Sequence, residues 1–431
     1  MRKTSHTEPP GPEPGSSAPD DTSGLTRRRL LEGAVSAMGG AVLASLPVQS
    51  GAQGAGNAPR AVGRAEGAGT TAVGTRSRHA SPAGRAPVGV RTGSSLTPLQ
   101  DLTGTITPAD LHFERHHSGV PELDPARHTL LVHGLVERPL MFTVADLRRF
   151  PQVSRIHFLE CSGNGRGAWR APNAEMTPQR VDGMTSNSEW TGVALSTLLR
   201  EAGARDEARW ILAEGGDAAL FARSIPIEKA RGDAMVAWAQ NGEPLRPEQG
   251  FPLRLFLPGY EGSANVKWLR RLELGTEPWM TRDETSKYTD PLKDGTARQF
   301  SLDMDAKSII TSPAHPSRLP GPGWFPVTGL AWSGRGRIAR VDVSTDDGAT
   351  WREAHLQDPV LPRAHTRFQL MWRWTGGAAR LLSRATDETG YVQPTRRQLV
   401  EARGPATDYH LNCIRGWRVE SDGSVYFHWE T

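Results

Sequence analysis

Residues 157–166 read "HFLECSGNGR". A strand-like run stops at Cys161, and Gly163, Gly165 and Gly167 then allow a tight turn around Asn164 and Arg166. Glycine admits backbone angles that other residues avoid, so a turn of this kind can follow a strand abruptly. Cys161 is one of two cysteines in the chain, the other being Cys413. Two readings stand for it: half of a disulfide with Cys413, or a thiolate metal ligand.

Outward from this stretch, strands and short helices mix. "HTLLVHGLV" (128–136) and "SRIHFLE" (154–160) have strand character, and Thr143 opens a short helix in "TVADLRRF". "TGVALSTLLREAG" (191–203) sets Val193, Leu195, Leu198 and Leu199 at helical spacing, with Thr191 as its cap. "ARWILAEGG", "FPLRLFLPG" and "VKWLRRLEL" read as strands, and "MVAWAQNGEPL" as a strand ending in an Asn-Gly turn. The regular alternation of a doubly wound sheet is missing, which predicts an α+β domain over 96–298. Beyond about residue 300 helical periodicity fades. "RIARVDVSTDDGATWREAHL" alternates around an Asp-Asp-Gly turn as a hairpin does, and "TRFQLMWRWTGGAARLLSRATDETG" repeats the pattern. Short strands at this spacing predict an immunoglobulin-like β-sandwich over 299–431.

The N-terminal part reads differently. Of 51 Lys and Arg and 47 Asp and Glu, residues 1–95 hold 11 and 6, leaving 40 and 41. The basic balance therefore lies in the leader, and the body calls for no nucleic-acid partner. "LTRRRLLEGAVSAMGGAVLASLP" places Arg27, Arg28 and Arg29 before an uncharged, weakly apolar stretch. It resembles a twin-arginine export signal over residues 1–50, which implies a periplasmic or other extracytoplasmic protein. Residues 51–95 are Gly, Ala, Ser, Arg and Pro without periodicity, the composition of a disordered linker. No later apolar run is long enough for a stable membrane span.

Several familiar sites are absent. The chain has no Cys-x-x-Cys, no His-Glu-x-x-His and no Cys-x-x-Cys-His, so zinc and covalently held c-type haem are not expected. It has no Walker loop, and one cysteine cannot hold an iron–sulfur cluster. Cations and hydrogen-bonding groups are conspicuous instead: Arg115, His116 and His117 upstream of Cys161, and Arg254, Asn265, Val266 and Lys267 downstream. Such a collection suits a large anionic ligand held by many donors, with a thiolate reaching its metal.

Three blocks carry a resemblance. "FERHH" (113–117) resembles the Phe-x-Arg-x-His block of the sulfite oxidase family of molybdenum enzymes, and "ECSGNGR" (160–166) its Cys-x-Gly-Asn block. "NGEPLRPEQGFPLRLFLPGYEGSANVKWLRRLEL" (241–274) is similar to its pterin-binding strand pair. The resemblance runs from about residue 97 and looks closest to the bacterial sulfur-oxidation branch, the sulfane or sulfite dehydrogenase molybdenum subunits. It implies a molybdenum–molybdopterin cofactor with Cys161 as the metal's thiolate ligand. Phe113, Arg115, His116, His117, Asp217 of "EGGD", Gln249, Arg254, Asn265, Val266 and Lys267 would then hold the pterin and its phosphate. Arg115 and Arg166 would line an anion pocket, with Tyr288 of "ETSKYTD" as the active-site tyrosine and Arg367 sent in from the sandwich. The sequence departs from the animal and plant pattern at Gln249 and Asn265, each standing where a histidine is usual, and the tryptophan that follows a glycine about twenty residues after the cysteine is missing from "DGMTSNSEW", where Met184 follows Gly183.

Three functions are compatible with these residues. The resemblance favours an exported dehydrogenase acting on sulfite or on sulfur carried by a protein cysteine. With no haem expected in this chain, it would need a cytochrome c or haem subunit as acceptor. A sulfur-carrier protein would be a second partner, and the sandwich would make a homodimer. A reductase of the same superfamily, acting on methionine sulfoxide or nitrate, is the second. The third is a non-catalytic exported binding protein that uses its immunoglobulin-like domain.

Overall fold

In its computed structural model, which describes residues 69–70, 72–74, 84–89 and 92–429, the described residues form two five-stranded sheets, a facing pair of sheets of four and five strands, and two small sheets of three and two strands. Residues 1–74 and 75–431 form separate units. The twin-arginine segment lies outside the described residues.

In the second unit, the strand leading to Cys161 is Gln152–Glu160. It pairs along its length with Thr185–Ala194, Gln152 facing Val193 and Glu160 facing Thr185. Met235–Gln240 joins the other edge of Thr185–Ala194 and in turn pairs with Glu243–Pro244 and Arg254–Phe256. The Asn-Gly turn is present: Asn241 and Gly242 both take positive φ, the conformation a tight hairpin demands. "FPLRLFLPG" gives only the short strand Arg254–Phe256, because Pro252 and Pro258 flank it and cannot donate to a ladder.

The second five-stranded sheet runs Leu140–Thr143, Thr129–Gly134, Leu269–Gly275, Trp210–Gly215, Ala222–Pro226, with one parallel pairing between Leu269–Gly275 and Thr129–Gly134. The helix Leu195–Ala202 buries Leu195, Leu198, Leu199 and Ala202 in the core that also holds Leu130, Val132, Leu272 and Leu274. Its spacing was legible in the sequence, but its start was not. Thr191 belongs to the preceding strand, and Ala194 occupies the cap position without a side-chain hydrogen bond. Pairing of Thr191 across the sheet outweighs its value as a cap. The short helix after Thr143 does start as expected, with a reciprocal Thr143–Asp146 capping box.

The β-sandwich faces a four-stranded sheet (Lys307–Ser312, Gly323–Trp332, Thr366–Trp374, His355–Leu356) against a five-stranded one (Arg352–Glu353, Ile338–Ser344, Ala379–Asp387, Arg415–Val419, Val425–Trp429). The Asp-Asp-Gly hairpin forms, with Asp342 facing Glu353. The second expected hairpin does not: Thr366–Trp374 pairs with Gly323–Trp332, whereas Ala379–Asp387 pairs with Ile338–Ser344 and Arg415–Val419. Its Gly376-Gly377 turn carries the chain from one sheet to the other, which alternation alone cannot distinguish from a hairpin. A helix also appears here, Arg396–Arg403, with a Thr395–Gln398 capping box. It buries only Leu399, so it leaves no apolar stripe to read.

The sandwich core does not stop at its own sheets. Phe158 of the cysteine strand and Leu99 pack in the same cluster as Trp332, Phe368, Trp372 and Trp417. Of the expected linker 51–95, the end is structured: Ala86–Val88 pairs with Ser94–Leu96, which pairs with Glu114–Arg115. Strand pairing satisfies backbone groups even where side chains offer no core. This small sheet positions the "FERHH" block.

Candidate active site

Glu160 ends its strand buried, and Cys161 begins the turn with its N–H donating to the Met184 carbonyl at 3.0 Å. Asn164 staples the turn: its amide donates to Glu160 Oε1 at 2.9 Å and to the Asp182 carbonyl at 3.0 Å, and its Oδ1 accepts from Met184 N–H at 2.9 Å. Gly165 has φ +88°, and a Cβ there would meet Asp182 Oδ1 at 3.0 Å. Gly262 crosses directly over the cysteine: a Cβ would come within 2.9 Å of the Glu160 carbonyl oxygen and 3.2 Å of Cys161 Cα. Cys161 is 9% exposed, and burial pushes its thiol pKa up. Both cysteines are free thiols in different clusters, Cys161 with Phe113 and Trp190 and Cys413 with Trp169, Leu399 and Leu411. The disulfide reading is therefore set aside.

Cys161 opens onto a cleft whose walls include Arg115, His116, His117, Asp217, Arg254 and Lys267. Phe113, Gln249, Asn265, Val266 and Tyr288 line it too. Lys267 donates to the Arg115 carbonyl at 3.0 Å, the Glu248 carbonyl at 3.0 Å and His116 Nδ1 at 2.9 Å. His116 Nε2 lies 2.7 Å from Glu114, so the network assigns this ring one proton, on Nε2. Burial, with Arg254 close by, draws the Lys267 ammonium down to about 7.

Arg254 is the least compensated charge. It is 3% exposed, bonds only Gln249 (carbonyl at 3.0 Å, Oε1 at 3.2 Å), and stands 5.2 Å over the Trp190 ring. Its Nε has no partner, and no carboxylate pairs with it among the described residues. Burial lowers its pKa to about 9. A buried cation left without a counter-ion is costly unless an anion fills the space beside it.

Other expected contacts are spent within the protein. Asn265 uses its amide on the Tyr260 and Glu261 carbonyls and on Leu257 N–H, closing the loop that delivers Lys267. Gln249 donates to the Phe113 carbonyl at 2.8 Å and orients Arg254. Asp217 accepts from Phe221 N–H at 3.1 Å, and Val266 contributes its backbone and an apolar wall.

A second chamber adjoins the first and shares Arg115, His117, Cys161 and Tyr288 with it; Arg166 and Tyr409 enter from the other side. The Tyr288 hydroxyl lies 2.9 Å from His117 Nε2, and the His117 ring stacks on Phe221 at 4.6 Å. Burial, helped by Arg115, lowers His117 to about 4, so the ring is neutral near pH 7, and burial holds Tyr288 well above the usual phenol range. Arg166 NH2 is buried without a partner and its Nε meets Asp408.

Arg367 does not reach either chamber. It donates to the Leu102 and Gly104 carbonyls from the strand Thr366–Trp374. The sandwich instead contributes the segment Asp408, Tyr409 and His410, which no sequence signal selects: it carries no motif and lies far from Cys161 along the chain. Arg223, Glu261 and Glu284 were also missed. Buried together, they tie Ala222–Pro226 to the loop over Cys161.

The donor set fits molybdopterin. It offers one buried thiol for a metal, a buried arginine with an orphaned N–H, and a lysine and histidines lining the cleft beside them. Among the described residues no group of three His, Cys, Asp or Glu could hold a bare metal ion, and no helix is long and apolar enough to cross a membrane.

Comparison with known proteins agrees. Residues 117–282 match the oxidoreductase molybdopterin binding domain, and residues 298–415 the Mo-co oxidoreductase dimerisation domain. The sulfite oxidase of Gallus gallus is 32% identical over 314 residues, covering 67% of this chain and 68% of its own length. An NADH nitrate reductase of Solanum lycopersicum is 30% identical over 352 residues, covering 70% of this chain but 38% of its own, so the chain spans about two-fifths of that relative. The crystal structure of the sulfane dehydrogenase SoxCD from Paracoccus pantotrophus is similar with a TM-score of 0.78 at 44% identity, over 83% of this chain and 95% of that one.

Proposed function

Because this chain belongs to the sulfite oxidase family of molybdopterin oxidoreductases, we propose that it oxidises sulfite or the terminal sulfane sulfur of a carrier protein and passes the electrons to a cytochrome c. The observation that carries this reading is the joining of two chambers at Cys161. One is lined by cations suited to an anionic cofactor, and the other by Arg115, Arg166 and Tyr288, suited to a small anionic substrate. When bound, molybdopterin supplies oxygen-atom transfer and storage of two electrons.

The chain's own residues prepare for this. Burial holds the Cys161 thiol protonated, and it would give up that proton on ligating the metal, since a coordinating thiol is deprotonated outright. Arg254 and His117 would hold the pterin and its phosphate, Arg254 through the N–H it has to spare, while Lys267, whose three donors go to the Arg115 and Glu248 carbonyls and His116, would act on the phosphate through its charge. The guanidinium groups of Arg115 and Arg166 can donate paired hydrogen bonds to substrate oxygens. Tyr288 retains its proton. If His117 carries hydrogen on Nε2, the phenol accepts there and turns its own proton into the substrate chamber; with the other tautomer the phenol's proton is spent on the ring.

For sulfite the balance is SO₃²⁻ + H₂O → SO₄²⁻ + 2H⁺ + 2e⁻, so an electron acceptor must follow. We assign that role to a cytochrome c, place the protein outside the cytoplasm on the strength of the twin-arginine stretch, and expect a homodimer through the second domain. The test is direct. Cofactor-matured protein is mixed anaerobically with sulfite or with a persulfidated carrier peptide, and reduction of added cytochrome c is followed. Reduction by either donor supports the reading. Failure of both, with nitrate or methionine sulfoxide reoxidising the dithionite-reduced enzyme, replaces it with a reductase.

A further inference from the structure

Arg85 lies in the stretch whose composition reads as linker, yet it reaches both blocks that build the cleft beside Cys161. One guanidinium nitrogen stands 3.4 Å from each of Glu114 Oε1, Glu248 Oε1 and the His112 carbonyl. These partners adjoin the donors of the cleft. Glu114 holds His116 Nε2 at 2.7 Å, and the Glu248 carbonyl accepts from Lys267 at 3.0 Å. Glu248 also precedes Gln249, whose side chain orients Arg254. Arg85 is therefore an outer cross-link between the "FERHH" block and the turn Pro247–Gln249. It stands behind the inner cross-link that Gln249 makes to the Phe113 carbonyl at 2.8 Å, and it does not itself line the cleft.

The hairpin that carries Arg85 is attached by polar contacts. Ala86–Val88 pairs with Ser94–Leu96, and Ser94 and Ser95 face Arg115 and Glu114. His116 N–H donates to the Gly93 carbonyl at 3.0 Å, Arg115 donates to the Thr92 carbonyl at 3.1 Å, and Ser95 Oγ donates to Glu114 at 2.8 Å. Gln179 clips the base, donating to the Gly84 and Leu96 carbonyls at 2.9 and 2.7 Å. The two ends of the turn require glycine: Gly89 has φ +76°, and a Cβ on Gly93 would come within 2.6 Å of the Val88 carbonyl oxygen. The outer strand Ala86–Val88 has no buried side chain. A strand held by its ladder and by partly exposed charges opens at a lower free energy than the core beneath it.

We propose that Arg85 is a positioning residue for the cofactor: docking of its hairpin holds His116, Lys267 and Arg254 in the arrangement that retains molybdopterin, and bound molybdopterin in turn holds the hairpin down. Such coupling is reciprocal by thermodynamic necessity. The inference needs the family's cofactor alone and stands whichever sulfur donor the enzyme oxidises.

The experiment compares cofactor-matured, full-length protein with its Arg85→Ala, Arg85→Lys and Gly93→Ala variants. Release of molybdopterin is followed by the fluorescence of the oxidised pterin. Hydrogen exchange is read in Ala86–Val88 and Ser94–Leu96 with and without cofactor, and urea midpoints are taken on the cofactor-free proteins. Arg85→Ala should release the pterin about fivefold faster, the scale of partly exposed ion pairs, with a urea midpoint equal to the parent's. Arg85→Lys should restore most of the parental rate, because a single nitrogen makes the bridge. Gly93→Ala, which displaces the hairpin without altering a cleft side chain, should speed release at least as much as Arg85→Ala. In the parent, cofactor should slow exchange in both strands about fivefold, and in Arg85→Ala that slowing should shrink. Release from Arg85→Ala at the parental rate, a lysine variant as fast as the alanine one, or hairpin exchange indifferent to cofactor overturns the proposal. None of these readouts needs turnover. The expected rates alongside inertness toward every sulfur donor would sustain the role of Arg85 and remove the proposed function instead.

Discussion

Lys307 links the two domains beneath the cysteine turn, and its replacement by methionine gives a quantitative test. The side chain is 2% exposed, and its ammonium lies 2.9 Å from Glu160 and 2.7 Å from Asp182. Asp182 is held from the other side by Arg415, so two cations and two carboxylates balance in a buried site. Lys307→Met keeps most of the apolar stem and removes one positive charge, leaving the cluster with an uncompensated carboxylate. Breaking a buried pair in this way costs about 3–5 kcal/mol. Glu160 keeps hydrogen bonds from Trp332 at 2.7 Å and Asn164 at 2.9 Å, and Asp182 keeps Arg415, which places the expected loss at the lower end, about 3 kcal/mol. Urea denaturation at pH 7, followed by tryptophan fluorescence, reads it. The double variant Glu160→Gln with Lys307→Met should recover about 1–2 kcal/mol, because the neutral amide no longer needs a cation and its oxygen still accepts from Trp332. Because Glu160 adjoins Cys161, the single variant should also retain less molybdenum. A loss under about 1 kcal/mol, or a double variant no more stable than the single one, would refute the view that this cluster clamps the cysteine turn.

Further outcomes follow from the same contacts. Arg254→Met should leave the cofactor-free protein as stable as the parent or more so, since it removes a buried cation without a counter-ion, while reducing pterin retention at least about tenfold; pterin fluorescence after oxidative release and urea midpoints of the cofactor-free protein check the two signs. Gly262→Ala drives a Cβ onto the Glu160 carbonyl and Cys161 backbone, so a cost of about 1–3 kcal/mol and reduced molybdenum content are expected, measured by urea denaturation and elemental analysis. Burial lowers His112 and His365 to about 3 and His117 and His157 to about 4. The unfolded chain takes up these protons near pH 6.5 and the native one does not, so their contribution to stability is complete above about pH 6.5 and is lost as pH falls toward 4. A urea midpoint constant from pH 7 to 5 would contradict that assignment.

What the sequence disclosed was local or repeated. The Cys161 turn, the FERHH block and the Asn-Gly hairpin declare themselves through glycines, adjacent cations and strand periodicity, all properties of neighbouring residues. Arg254 and Lys267 could be named, but not the reason that matters for binding, that one has a bare N–H and the other spends its donors on carbonyls and a histidine. Tyr409 and Asp408 escaped because their role depends on a contact across domains, His410 N–H to Ser162, that no spacing records. Arg367 was misplaced for the complementary reason: an arginine on a sandwich strand gives no sign of whether it points into a cleft or onto loop carbonyls, here those of Leu102 and Gly104. The false hairpin after Trp374 has the same root, since two strands joined by Gly-Gly may lie in one sheet or in two facing sheets with identical alternation.

The most direct measurement is the visible absorption of cofactor-matured protein beside its Cys161→Ser variant, before and after anaerobic addition of sulfite or persulfidated carrier peptide. The account predicts a thiolate-to-molybdenum band in the parent that either donor bleaches, and its loss in the variant while the pterin stays bound. A band of equal strength in Cys161→Ser, or a molybdenum-loaded parent whose band survives both donors, would contradict it.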